Sequence, residues 1–191
     1  VAKTDDRITG VSISNPYLMA GIAQTKALRD ALKDFRESGK FVYAYADYYL
    51  QKDYYLASVA DSVFINPVGS MDFKGLSAEV LYFKSLQEKT GVKMEVIRLG
   101  KYKSAVEPFL DDEMSDENRD QISELIGGVW ESMLEEISES RGIPVEGLNK
   151  IADTLGARTP QFAVASGLID GILFQDEYDA LINERVGVSG D

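Results

Sequence analysis

Lys103 lies in the run Leu99-Gly100-Lys101-Tyr102-Lys103-Ser104-Ala105-Val106-Glu107-Pro108-Phe109, the best candidate segment for a catalytic base. A lysine amine takes a proton from a serine hydroxyl only when it is itself neutral. Moving its pKa from ~10.4 to ~7 costs on the order of 4–5 kcal/mol at ~1.4 kcal/mol per unit. Apolar surroundings and a neighbouring cation both push in that direction. Tyr102, Ala105, Val106 and Phe109 offer the first, Lys101 offers the second, and a buried-looking strand comes directly before. The same residues also suit a surface lysine in a strand-to-helix loop, and these surroundings leave both readings open.

Elimination narrows the alternatives. The 191 residues contain no His and no Cys, which removes Ser-His-Asp triads, thiol nucleophiles, disulfides and His- or thiolate-held metals within this chain. There is no Asp-Thr/Ser-Gly tripeptide of the kind aspartic peptidases use. The acidic run Asp111-Asp112-Glu113 lacks the spaced oxygen ligands and Gly of a calcium loop, and reads as a solvated lead-in to a helix at Ser115. Gly100-Lys101 lacks the upstream Gly and following Ser/Thr of a phosphate loop. No cofactor and no metal are implied. Lys plus Arg total 20 against 32 Asp plus Glu, a net charge of −12, so a nucleic-acid partner is not expected.

The elements that must position Lys103 follow from patterning. With 45% hydrophobic and 10% aromatic residues the chain can fill a core, and 27% charged residues suit a soluble surface. Strands are expected at 7–14, at 41–46 (Phe41-Val42-Tyr43-Ala44-Tyr45-Ala46, apolar enough to be buried on both faces), at 62–65 closed by Asn66-Pro67, and at 94–99. Between them fall helical patterns with Leu18, Ile22, Leu28, Leu32 and Phe35 on one side, then over 54–60 and over 77–89. This alternation predicts an α/β fold with a mostly parallel sheet.

After Gly100 the texture turns helical. Ser115 is a good N-cap, and Ile122, Leu125, Ile126, Val129, Trp130, Met133, Leu134 and Ile137 form one stripe over about four turns. Thr159-Pro160 opens another helix, and a last one spans about 176–184. The expected division is therefore an α/β core over 1–114 and a helical extension over 115–191, together one half-domain. No stretch approaches the ~20 apolar residues of a membrane span, and no signal peptide is visible. The start at Val1 and the linker-like end Gly187-Val188-Ser189-Gly190-Asp191 read as an excised, soluble piece of a longer chain, with any anchor or second domain outside it.

Gly-Lys-Tyr-Lys-Ser-Ala-Val-Glu-Pro-Phe over 100–109 resembles the lysine segment of the bacterial signal peptide peptidase A (protease IV) family in its long, two-domain form. Further likenesses come in family order: Ser38-Gly39-Lys40, Tyr54-Tyr55-Leu56-Ala57-Ser58, Asn66-Pro67-Val68-Gly69, Phe73-Lys74-Gly75-Leu76, Tyr82-Phe83-Lys84-Ser85-Leu86 and Asp112-Glu113-Met114-Ser115. The resemblance runs from about Ile22 to Gly171. It implies the Clp protease/crotonase-like fold and cleavage of signal peptide remnants by a Ser–Lys dyad. It also implies a homo-tetramer anchored in the bacterial inner membrane by a segment outside this chain, with its catalytic part periplasmic or otherwise extracytoplasmic.

By that resemblance Lys103 is the general base, Ser104 a helper or else only a capping hydroxyl, and the serine belongs to a C-terminal domain outside this chain. Where serine-bearing domains of the family show Ser-Gly-Gly-Tyr-Tyr, this chain has Gln51-Lys52-Asp53-Tyr54-Tyr55, and Ser14-Asn15-Pro16-Tyr17 lacks the family's oxyanion glycines. The piece alone is thus expected to be inactive. Glu107 is expected to point away from Lys103, toward Arg98 or Lys101, and Tyr54 and Tyr55 to be packing residues. The other readings are a scaffold domain of the same assembly with a vestigial lysine, and a crotonase-type acyl-CoA-binding domain.

Overall fold

β-branched and aromatic residues concentrate in three runs early in the chain, and each becomes a strand of one parallel sheet. The computed structural model describes residues 1–95 and 104–187. The first elements are β1 (Gly10–Ser14), α1 (Ile22–Arg36), β2 (Phe41–Tyr49), α2 (Gln51–Ala57) and β3 (Ser62–Met71). Then come α3 (Lys84–Thr90), α4 (Glu107–Leu110), α5 (Asp116–Arg141), α6 (Val145–Asp153), α7 (Pro160–Ala165), β4 (Gly171–Ile172) and α8 (Gln175–Val186). The sheet order is β1-β2-β3-β4, all parallel, with Gly10 opposite Phe41, Ala44 opposite Val63 and Phe64 opposite Gly171. This is the α/β architecture that the alternation predicts. Val42, Ala44, Tyr45 and Ala46 on β2 are fully buried, as a strand covered on both faces requires.

The described chain forms two compact units, one of residues 1–75 with 133–191 and one of residues 76–132. In the first, the packing of α5 and α1 is organised by a buried cation. Arg29 donates to the carbonyls of Tyr55 (3.1 Å) and Glu136 (2.8 Å) and to the hydroxyl of Ser140 (2.6 Å), with its guanidinium 5.2 Å from the Tyr55 ring centroid. Lys26 and the Tyr55 hydroxyl both bond the Glu136 carboxylate. Arg141 forks onto Asp170 at 2.8 and 2.9 Å, a bidentate pair of the strong kind. Tyr178 of α8 stacks on Tyr45 at 4.9 Å.

Several local expectations change. β3 does not stop at Asn66-Pro67 but continues to Met71, because the pairing shifts register between Ala46 and Tyr48. The Asn66 side chain carries the irregularity, accepting the Val68 N–H at 3.0 Å and donating to Asp47 at 2.8 Å. Gly69 is needed here, since a Cβ would come within 2.2 Å of the Asp47 carbonyl oxygen. The C-terminal stretch is not purely helical, as β4 joins the sheet there.

In the second unit the helix expected over 77–89 begins only at Lys84. The Phe83 N–H is turned away to the Pro108 carbonyl at 2.6 Å, a bond that a continuing helix would forbid. Of the strand expected over 94–99, Met94 and Glu95 are not in a strand; the rest lies outside the described residues. The stripe on α5 is buried at Met133, Leu134 and Ile137, while Leu125 is 67% exposed. That end of α5 belongs to the unit that also holds α3 and α4, of seven and four residues. Among the described residues no helix is long and apolar enough to cross a membrane.

Candidate active site

Lys103 itself lies outside the described residues. Immediately after it, Ser104 opens a 3-10 turn, Ser104–Val106, that runs straight into α4, and Ser104 is half-buried. Pro108 at the start of α4 suits a position where no N–H is needed. Phe109 stacks on Phe83 with centroids 5.7 Å apart, and its carbonyl accepts from the Gln87 side chain at 2.7 Å. Glu107 is almost fully buried. Its carboxylate accepts from the Ser115 hydroxyl at 2.6 Å, from the Ser115 N–H at 3.5 Å and from the Asn118 side-chain amide at 3.0 Å. Ser115 Oγ meanwhile accepts the Asn118 N–H at 3.2 Å, so the predicted cap of α5 is present. Burial, and next the Glu107 charge, raise the pKa of Tyr82.

In the first unit, position 51, where the resemblance puts the nucleophile of serine-bearing domains, holds a glutamine. Gln51 is the first residue of α2. Its side-chain carbonyl accepts the N–H groups of Lys74 and Gly75, each at 2.9 Å, and its amide donates to the Gly75 carbonyl at 2.9 Å. Two residues on, the buried Asp53 carboxylate accepts the Leu18 N–H at 3.0 Å. Burial raises its pKa, against the lowering effects of that N–H and then of Lys52. The loop after β1 is held by Asn15, which adopts φ 44°. Asn15 donates its N–H to the Tyr45 carbonyl at 2.8 Å and accepts the Asp47 N–H on its side chain at 2.8 Å. These backbone donors are thus already engaged by the chain's own groups.

Tyr54 and Tyr55 are packing residues, as expected: both are buried, with hydroxyls on the Leu168 carbonyl (2.7 Å) and Glu136 (2.5 Å). Glu107 turns to the N-terminus of α5; the partners expected for it, Arg98 and Lys101, lie outside the described residues. Sequence reasoning missed Asp53 and Asn118. A lone acid inside the run Asp53-Tyr54-Tyr55-Leu56-Ala57 was a signal for the first. Nothing in the sequence marked Asn118, whose role depends on Glu107 reaching it across a turn.

The sequence pattern of peptidase family S49 matches residues 34–189. Over 98% of its length the chain is 35% identical to Protease 4 of Salmonella typhi, and over its whole length 33% identical to Protease 4 of Haemophilus influenzae. It is 29% identical to the chloroplastic serine protease SPPA of Arabidopsis thaliana. The chain spans about a third of the length of these curated relatives, 28–32%.

Proposed function

The chain belongs to peptidase family S49, and from that membership we propose that it is the N-terminal, lysine-bearing part of a longer serine endopeptidase that degrades cleaved signal peptides. Lys103 is the general base. The nucleophilic serine and its oxyanion donors come from a C-terminal domain of the same longer protein, in a membrane-associated homo-tetramer on the extracytoplasmic side. The neutral amine takes the serine proton as the hydroxyl attacks the peptide carbonyl, then returns a proton to the leaving amine. Docking of the serine-bearing domain excludes water and keeps the amine uncharged.

One observation carries this reading. The lysine motif over 100–109 is present while the nucleophile's place is taken by Gln51, whose amide is spent on the backbone of Lys74 and Gly75. A half-site with a base and no attacking hydroxyl is what a shared active site requires. In the full-length protein, Lys103→Ala should lower peptide cleavage by roughly 10²–10⁴-fold, the usual contribution of a general base. Cleavage at the wild-type rate would remove Lys103 from the chemistry.

A further inference from the structure

We infer that the cavity beside Arg158 binds the C-terminal residue of a peptide that ends in a free carboxylate. This rests on the reading of cleaved signal peptides as the substrates and adds how they are recognised. The cavity, of about 240 Å³, lies within the first unit and is lined by Met71, Asp72, Phe73, Lys74, Leu155 and Arg158. Pockets for whole small molecules run to ~300–1,000 Å³, so this one suits a single side chain. Met71 and Phe73 are buried and Leu155 is 45% exposed, which makes much of the lining apolar. The Asp72 carboxylate is answered by Lys74 at 2.9 Å. The Arg158 side chain is exposed and has no hydrogen-bond or ion-pair partner among the described residues.

The walls of the cavity are held in place. The Met71 N–H donates to the Arg158 carbonyl at 3.2 Å, joining the end of β3 to the loop after α6. The Lys74 N–H is fixed by the Gln51 side chain at 2.9 Å, so the glutamine at position 51 supports this cavity. Leu155 stands just past the C-cap of α6 at φ 52°, a left-handed position where glycine is usual. A leucine kept there with much of its surface exposed is a local conflict of the kind that collects at ligand sites. A guanidinium pairs with a carboxylate through two parallel hydrogen bonds. The apolar lining beside it suits the side chain carried on the same terminal residue. Hydrolysis of a precursor creates that group, because the severed signal peptide ends in a carboxylate where the intact chain has an amide. A site that reads the carboxylate separates a remnant from an uncut precursor.

The test uses the full-length protein in a Lys103→Ala background. One labelled, leucine-rich peptide is made both as the free acid and as the C-terminal amide, and fluorescence anisotropy is read on mixing, before any cleavage. The acid should bind about 3–10-fold more tightly than the amide, the range for a charge-assisted bond at an exposed site. Arg158→Gln should erase that preference while amide binding stays within about twofold, and Arg158→Lys should keep part of it. Leu155→Gly should weaken both forms about threefold or more, with the melting temperature unchanged or raised because the left-handed strain is relieved. Equal binding of acid and amide, or a preference that survives Arg158→Gln, overturns the site, and so does undiminished binding by Leu155→Gly. Cleavage by the Lys103→Ala protein overturns the base alone. Failure of the wild type to degrade a cleaved signal peptide overturns the substrate class and leaves the measured affinity ratio standing.

Discussion

Gln51 and Gly75 hold one another in both directions: the Gln51 side-chain carbonyl accepts the Gly75 N–H at 2.9 Å, and its amide donates to the Gly75 carbonyl at 2.9 Å. The side chain behaves as one more peptide group laid against the loop, and the Lys74 N–H closes on the same oxygen. The 191-residue chain alone should show no peptide hydrolysis above buffer, and Gln51→Ser should not create it, because a hydroxyl without oxyanion donors is not enough and the Leu18 and Asp47 N–H groups stay engaged by Asp53 and Asn15. A fluorogenic peptide assay on both decides. Turnover that scales with the concentration of either chain would contradict a division of labour between two domains.

Arg29 supplies a second prediction. Removing the buried guanidinium takes a donor from the Tyr55 and Glu136 carbonyls and the Ser140 hydroxyl, and a cation from 3.9 Å beside the Glu136 carboxylate. Arg29→Ala should cost about 3–5 kcal/mol, the range for breaking a buried charge from its partners. Urea unfolding measures it, and a loss under about 1 kcal/mol would mean the site behaves as a surface pair.

Gly69→Ala tests the bulge. The new Cβ would stand 2.2 Å from the Asp47 carbonyl oxygen and 3.0 Å from that of Asn66, and backbone atoms have little room to yield. Strain of this kind belongs to the few mechanisms that exceed about 4 kcal/mol. A melting temperature within a degree or two of wild type would show that β2 and β3 can part here at little cost.

The titration of Asp53 has a definite sign. Burial lifts its pKa above the ordinary 3.8, so the native chain keeps this proton to higher pH than the unfolded chain does. Stability arising from this group is then greatest below 3.8 and falls as pH rises toward the native value. Asp5, Asp72, Asp112 and Glu139, whose pKa values are lowered by hydrogen bonds from Arg7, Lys74, Lys84 and Lys33, act in the opposite sense. They cancel when wild type is compared with Asp53→Asn. The stability of Asp53→Asn relative to wild type should rise with pH through that window and level off above it. A difference that stays flat across the acid range would remove the buried-carboxylate account.

Much of this was legible in the sequence. The apolar run at 41–46 announces a strand buried on both faces, and Ser115 and Thr159-Pro160 announce helix starts. What escaped was non-local. Asn66-Pro67 has the chemistry of a turn, yet a register shift against β2 and a bridging Asn66 side chain carry the strand through it. Gly171-Ile172 is too short to show any period and becomes a strand only because β3 offers it an edge. The tie from Glu107 to Ser115 and Asn118 joins residues eight and eleven apart, a distance that neither helical nor strand periodicity encodes.

The lateness of β4 has a consequence for biosynthesis. The Val63 N–H finds the Asp170 carboxylate across 107 residues of chain, so a ribosome delivers β1, β2 and β3 long before the piece that borders them. Among the described residues, the outer rim of β3 gains its hydrogen-bond partners only from Arg158 onward, and bare strand edges adhere to other strands they meet. Translation that stalls between Met71 and Gly171 would release a sticky intermediate, making this interval the time when the newborn chain most depends on chaperones.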